Sequence, residues 1–144
     1  MIDETVLRET IDAFCGDGVS DHALGLGREW VVNITPDRLL PLVTRLLERD
    51  AIHHLTTITG VDTGEDLEVL YHFVSTWGLT LRTRCPRQGA ELPSLVPILP
   101  AADWYEREVY EMLGVRFAGH PDLQRLVLPD DWDGPPPLLE EDPS

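Results

Sequence analysis

The chain has 144 residues, with 11 basic and 26 acidic side chains and a formal net charge of −15 at pH 7. This length predicts one domain with a core of its own, and the negative charge argues against nucleic acid or an anionic membrane surface as a partner. The sequence contains neither the roughly 18-residue apolar run of a membrane span nor a recognisable secretory signal.

The first third of the chain predicts two helices separated by a loop and a strand. Apolar residues at near-helical spacing predict a helix over 2–14. The glycine-rich segment 16–27 predicts a loop, and residues 28–35 predict a strand. Thr35 and Pro36 are typical of a helix start, but Pro41 interrupts the apolar pattern that continues to Arg49, so the helix is expected to begin at Pro41 after a short turn.

The middle of the chain predicts a β-hairpin preceded by another strand. Residues 53–59 alternate in polarity and predict a strand. Two further strands, 66–76 and 79–85, are separated by a tight turn at Trp77–Gly78 and should pair. Residues 86–94 are interpreted as a loop, and 95–102 as an apolar stretch broken by two prolines.

A short helix is predicted in the most highly charged part of the chain. Asp103 and Glu106 have the spacing of a capping box, and Gly114 suits a left-handed helix end. Four residues at helical spacing predict the buried face: Tyr105, Val109, Met112 and Leu113.

The remaining side chains of this helix have three interpretations. Trp104, Arg107, Glu108 and Glu111 are predicted to lie largely off the buried face. They could form a solvated charged face, a surface for a basic partner, or a pair of catalytic carboxylates at Glu108 and Glu111. Asp103 and Arg107 are also spaced for an ion pair along the helix.

Short elements are predicted after this helix. Residues 115–117 are expected to be extended, and His120–Pro121–Asp122 is interpreted as the entry to two helical turns over 122–128. Residues 129–134 are rich in turn formers. The proline-rich, acidic segment 135–144 is expected to be an extended or disordered tail.

Cysteine and histidine provide no clear metal or redox motif. Cys15 and Cys85 are far apart, which favours two free thiols, although a disulfide stays possible. Two cysteines are too few for an iron–sulfur cluster. The adjacent His53 and His54 should point to opposite faces of a strand, so no metal site is predicted.

The segment "PSLVPILPAADWYEREVYEMLGVRFAGHPDLQRLVL", positions 93 to about 130, resembles the signature of a known family. It is similar to the C-type subunit of respiratory complex I, the NADH:quinone oxidoreductase, a family also found in energy-converting nickel–iron hydrogenases. The earlier segments "LTTITGVD" and "VLYHFVST" look like the same family. The resemblance therefore spans about residues 28–134.

The resemblance implies a hydrophilic α+β subunit of a peripheral arm, on the cytoplasmic side of a membrane that it reaches only through the complex. It implies one domain over 1–134, a tail over 135–144, and a small mixed sheet with helices packed on one face. It implies that this chain carries no catalytic residue, cofactor or metal. Iron–sulfur clusters, and a flavin or a nickel–iron centre, would belong to partners: the iron–sulfur subunits and the large D-type or hydrogenase subunit.

The motif positions would support the fold and the contact with a neighbouring subunit. They are Trp104, Tyr105, Glu106, Arg107, Glu108, Tyr110, Glu111, Gly114, His120, Pro121 and Arg125. The tail departs from the family, because Glu140 and Glu141 stand where members commonly carry cations, which favours a divergent or hydrogenase-type assembly. Two other classes stay open: a free-standing acidic binding module, and an enzyme using Glu106, Glu108, Glu111 or His120.

Overall fold

A computed structural model describes residues 4–15, 19–24, 27–49, 52, 54–74, 78–126, 128–129 and 131–139. These residues form helices and two small β-sheets, which confirms the predicted α+β class with a small mixed sheet. Within the described part of the chain, no helix has both the length and the apolar character needed to cross a bilayer.

The elements follow one another in a simple order. They are α1 (Glu4–Cys15), β1 (Val19–Leu24), β2 (Gly27–Asn33), α2 (Pro36–Glu48), β3 (His54–Asp62), β4 (Asp66–Val74), β5 (Gly78–Pro86), β6 (Glu91–Pro93), α3 (Ala102–Leu113) and β7 (Arg116–Ala118). By its contacts the chain divides into two units: 1–57 with 70–83, and 58–69 with 84–144.

The larger sheet has the strand order β1-β2-β5-β4-β3 and is mixed. Strand β1 pairs antiparallel with β2, with Val19 opposite Val32, whereas β2 pairs parallel with β5, with Trp30 opposite Leu79. The neighbouring positions of β4 and β5 confirm the predicted hairpin, although residues 75–77 of its turn lie outside the described residues. A parallel pair, β6 and β7, forms the second sheet.

In the first unit, helix α1 packs against helix α2. The apolar face of α2 is fully buried and consists of Leu39, Leu42, Val43 and Leu46. Strand β4 alternates buried and partly exposed positions, as a half-buried strand should. At the end of β2, the Asn33 side chain accepts a 2.6 Å hydrogen bond from Arg82 Nε on β5, which fixes the parallel register there.

Two predictions in this unit were wrong. Helix α2 begins at Pro36 and contains Pro41. Proline at this position lacks the N–H that would bond to Asp37, but Asp37 is exposed in the first turn, where water can satisfy its carbonyl. Segment 16–27 is not only a loop, because residues 19–24 form β1, whose backbone pairs along β2. His22 consequently lies on a strand.

The second unit contains α3, β6, β7 and the turn between β3 and β4. Gly64 occupies this turn with φ 93°, a conformation that glycine adopts without strain. The Asp62 carboxylate accepts a bond from the Gly64 amide and forms a 3.0 Å ion pair with Arg87. The Asp62 side chain is only 2% exposed, so this pair fixes the turn from within the unit.

Close packing of α3 on β3 depends on Gly60. A Cβ at position 60 would overlap Leu113 Cδ1 and lie 3.3 Å from Val109 Cγ1. We expect Gly60→Ala to reduce the free energy of unfolding by about 1–3 kcal/mol, because overpacking forces a core side chain to shift. Urea unfolding of the matched Gly134→Ala variant, whose Cβ would make only ordinary contacts with Trp132, should change stability by less than about 0.5 kcal/mol. Equal stability of both variants would contradict this account of the contact.

Candidate functional site

Helix α3 starts before Asp103 and does not use that residue as its cap. The preceding residues 95–101 form consecutive turns, in which the amides of Ala102 and Asp103 donate to the carbonyls of Leu99 and Pro100. Ala101 itself has helical backbone angles and no side-chain cap. Since these turns already satisfy the first amides, Asp103 is available for a contact elsewhere, and the predicted capping box is wrong.

Glu106 lies at the centre of the buried face of α3 and is fully buried. Its Oε1 accepts a 2.6 Å hydrogen bond from the Ser94 hydroxyl, and its Oε2 accepts a 2.7 Å bond from the Leu95 amide. The buried face contains Ala102, Glu106, Val109 and Leu113, whereas Tyr105 and Met112, predicted to be buried, are half-buried. A carboxylate therefore joins the helix to the segment that precedes it.

Burial raises the pKa of Glu106, because desolvation disfavours the charged form. The nearby carboxylate of Asp103 adds to this effect. The bonds from Ser94 and Leu95, and the proximity of His120, act in the opposite direction but do not cancel it.

Glu111 is the second buried carboxylate of α3, with 4% exposure. It accepts hydrogen bonds from the amides of Leu126 and Leu128. These contacts correct two predictions. Glu111 does not lie off the buried face, because it is buried and bonded to the amides of Leu126 and Leu128. Residues 122–128 do not form helical turns over their described positions, because amides that a helix would pair internally bond to Glu111 instead.

Asp103 pairs with His120 rather than with Arg107. His120 Nε2 lies 3.0 Å from Asp103 Oδ1, and the imidazole side chain is fully buried. The Asp122 amide donates a 2.9 Å bond to His120 Nδ1. Since Nδ1 accepts this bond, we assign the proton to Nε2, which donates to the backbone carbonyl of Asp103 at 3.3 Å, while the nearby Asp103 Oδ1 has no hydrogen-bond partner among the described residues. His120 thus joins the start of α3 to the turn at Pro121.

Arg107 also bonds within the chain. Its Nε donates to the Gln124 carbonyl at 3.0 Å, and its Nη2 to the Arg125 carbonyl at 3.4 Å. Arg125 in turn donates a 2.6 Å bond to the Trp132 carbonyl. Arg107 therefore ties the backbone at 124–125 to α3, and Arg125 links that point of the chain to Trp132. Gly114 ends the helix at φ 80°, as predicted.

The exposed part of α3 is small. Trp104 is 67% exposed, and Glu108, one helical turn further, is exposed as well. Tyr105 and Tyr110 are half-buried and Pro121 is exposed. The predicted site residues thus divide into those bonded inside the unit, namely Glu106, Arg107, Glu111, His120 and Arg125, and those that present a surface.

This arrangement supports structure better than catalysis. Glu108 and Glu111 do not share a site, because Glu108 is exposed, whereas Glu111 is buried and bonded to the amides of Leu126 and Leu128. No group of three metal-ligating side chains occurs among the described residues. Cys85 is a buried free thiol whose pKa is raised to about 11 by burial and by the Asp66 carboxylate, so it stays protonated and unreactive. As a free thiol, Cys85 forms no disulfide with any residue that the structure describes.

Sequence reasoning missed Ser94 and the described part of the predicted tail. Residues 135–139 form bends and a turn instead of the predicted extended or disordered tail, and the Leu138 amide donates a 2.9 Å bond to the Met112 carbonyl at the end of α3. The rest of the tail, 140–144, lies outside the described residues. A serine before an apolar stretch and a Pro-rich end have many possible partners, so no local signal identified these contacts.

Residues 32–143 match the family model described as the respiratory-chain NADH dehydrogenase 30 Kd subunit. The chain is 41% identical over 108 residues to the C subunit of the NADH-quinone oxidoreductase of Moorella thermoacetica, an alignment covering 72% of this chain and 73% of the relative. It is 48% identical over 79 residues to the C/D subunit of the NADH-quinone oxidoreductase of Methylococcus capsulatus, covering 53% of this chain and 13% of that protein.

Other relatives are longer than this chain. Two further C subunits of NADH-quinone oxidoreductases are matched over 46% and 47% of their length, so the chain spans about half of them. Among solved structures, one chain of an archaeal respiratory membrane complex, the membrane-bound sulfane sulfur reductase, aligns with a TM-score of 0.72 at 21% identity. That alignment covers 89% of this chain and 77% of the other, and it supports the fold alone.

The two hydrogen bonds that Glu106 accepts, from Ser94 and Leu95, predict how much this residue contributes to the stability of the fold. We expect Glu106→Ala to reduce the free energy of unfolding by about 2–4 kcal/mol, because a cavity forms and the buried Leu95 amide loses its acceptor. Chemical denaturation can compare it with Glu108→Ala, which removes an exposed carboxylate and should change stability by no more than about 0.5 kcal/mol. Similar losses of unfolding free energy in both variants would show that the burial of Glu106 does not determine its contribution to stability.

The raised pKa of Glu106 predicts a pH dependence with a definite sign. Between the ordinary value of 4.5 and the raised folded value, the folded state binds more protons than the unfolded state, so the contribution of Glu106 to stability falls as pH rises. Glu106→Gln removes this titration while keeping the shape of the protonated acid. We expect the stability of the wild type minus that of Glu106→Gln to decrease with pH through this window. A difference that increases with pH would mean that the folded pKa is lowered.

Proposed function

This chain belongs to the family of the 30 Kd subunit of respiratory-chain NADH dehydrogenase, and on that premise we propose that it is a structural subunit of a membrane-bound, complex-I-like oxidoreductase. It performs no chemistry itself. It docks onto the large D-type subunit on the cytoplasmic side of the membrane and supports electron transfer coupled to ion translocation. The iron–sulfur clusters, and a flavin or a nickel–iron centre, belong to partner subunits.

This proposal rests on one observation: most charged side chains of α3 form hydrogen bonds within the chain itself. Both buried carboxylates of the helix accept hydrogen bonds from the chain itself, and Arg107 donates to backbone carbonyls. A catalytic carboxylate needs access to substrate and a titration suited to its task. Groups bonded in this way instead fix the shape of the surface around them, which is the task of a docking subunit.

The surface that remains has the features of a protein contact. Trp104 is a large apolar side chain with 67% exposure, preceded in the chain by the exposed prolines Pro97 and Pro100 and followed by the exposed carboxylate of Glu108. Tryptophan is enriched among the residues that contribute most to binding, and such residues fill pockets on the partner. With a net charge of −15 on the chain, a partner with basic groups around an apolar pocket fits this surface best.

The choice of the D-type subunit as the partner has support from the relatives. One of them carries the combined designation C/D, for a single protein. Two polypeptides fused in one protein stay at high effective concentration, which is compatible with a contact between them. The Trp104 surface is our candidate for that contact.

We expect Trp104→Ala to weaken assembly with the D-type subunit at least about tenfold without lowering the stability of the isolated chain, since loss of a central interface tryptophan typically costs about 2 kcal/mol or more. Affinity purification through an N-terminal tag from detergent-solubilised native membranes, followed by mass spectrometry, measures the recovered partner. Val74→Ala, at a valine that is 51% exposed on β4, is the matched surface control and should leave recovery unchanged.

The same purification tests the proposal as a whole. Flavin- and NADH-binding chains among the recovered proteins would identify a respiratory NADH dehydrogenase, whereas a nickel–iron large subunit in their place would identify the hydrogenase-type assembly. Recovery of the wild-type chain alone would overturn the subunit role. Recovery of equal amounts of partner by wild type and Trp104→Ala would retain that role but reject this surface.

A further inference from the structure

An open cavity of ≈ 250 Å³ lies at the C-terminal end of α3, away from the Trp104 end of the helix. Its walls come from the last turns of α3, from β7 and from the irregular segment that follows. The side chains that define its chemistry are Tyr110, Arg116, Arg125 and Trp132.

The walls of this cavity are held in place by hydrogen bonds. Glu111 accepts bonds from the amides of Leu126 and Leu128, and Arg125 Nη1 donates to the Trp132 carbonyl. The Trp132 indole also donates a 3.2 Å bond to the Pro135 carbonyl, which fixes the orientation of its ring. Because these hydrogen bonds position the lining residues, the cavity is part of the folded structure of the second unit.

Its charge is opposite to that of the protein. Two arginines and one carboxylate line it, in a chain with a net charge of −15. The carboxylate, Glu111, already accepts bonds from two backbone amides. Among the described residues, the Arg116 side chain is exposed and has no hydrogen-bond or ion-pair partner, and Arg125 has further N–H donors besides the one that bonds Trp132.

We propose that this cavity is a second docking site, which takes an acidic side chain from a polypeptide of the assembly. An arginine presents paired N–H groups that match a carboxylate, and the rings of Tyr110 and Trp132 can pack against the aliphatic stem of a glutamate. A volume of ≈ 250 Å³ is below the usual range for small-molecule pockets but accommodates one side chain with adjoining backbone.

The proposal depends on the subunit role only for the identity of the partner, because binding of an acidic peptide can be measured on the isolated chain. Failure of this proposal can thus be distinguished from failure of the co-purification experiment.

The probe is the blocked pentapeptide Ac-Gly-Ala-Glu-Ala-Gly-NH2, and the matched control has Gln in place of Glu. Sodium phosphate at the same concentration and ionic strength tests for a simple anion site.

Titration of the ¹⁵N-labelled full chain, followed by NMR, reports on the cavity through the Trp132 indole and the Gly134 amide. We expect saturable shifts with the Glu peptide, no such shifts with the Gln peptide, and weaker binding at higher salt. Arg116→Ala should weaken binding at least about tenfold, because it removes charge-assisted bonds. Arg84→Ala, which changes an exposed arginine paired with Glu68 outside the cavity, should retain the affinity.

Four results would overturn the proposal. They are the absence of shifts with the Glu peptide, equal shifts with both peptides, equal shifts with phosphate, and unchanged affinity in Arg116→Ala. Because Arg116 is exposed and its side chain is unpaired among the described residues, the alanine variant should fold normally. The dispersion of its NMR spectrum verifies this in the same experiment.

Discussion

Irregular backbone that is covered by other parts of a protein must find hydrogen-bond partners, and this requirement determines how the second unit is built. Segments 94–95 and 120–128 flank α3 without regular helix or strand pairing along their described length. The helix supplies acceptors to both. Glu106 bonds the segment before it, and Glu111 bonds the segment after it. A carboxylate can accept several N–H donors at once, which makes it suited to this task.

This use of carboxylates explains why a helix with so many charged residues can pack closely. Burying an ionised group without partners costs several kcal/mol, but a carboxylate that receives two hydrogen bonds regains much of that cost. The raised pKa of Glu106 indicates that the compensation is incomplete. Glu106 in turn provides the buried Ser94 hydroxyl and the buried Leu95 amide with a hydrogen-bond acceptor.

Regular elements could be predicted from the sequence where side-chain periodicity matches burial. Strand β4 places Leu67, Val69, Tyr71 and Phe73 on one buried face, and this alternation is visible in the chain. Strand β1 was missed because its pairing depends on backbone bonds to β2, while its composition of Ser, Asp and His suggests a loop. Pro41 suggested a later helix start, but the four buried residues of α2 outweigh the one missing hydrogen bond.

The candidate site was only partly predictable, because its decisive contacts join residues distant in sequence. The Asp103–Glu106 spacing agrees with a local capping rule, yet the Asp103 carboxylate lies 3.0 Å from His120 Nε2 and the Glu106 carboxylate bonds Ser94. Local rules assume that nothing outside the helix competes for its first amides and acids. Here the turns of 95–101 already satisfy those amides, so the acids are available for tertiary contacts.

Trp104 is exposed, in agreement with the helical pattern. That prediction required only that this residue lie opposite the apolar face of the helix. The long charged motif therefore shapes two distinct ends of one helix, an aromatic end at Trp104 and an arginine-lined end at Arg116 and Arg125, and surfaces of such different chemistry would select different partners.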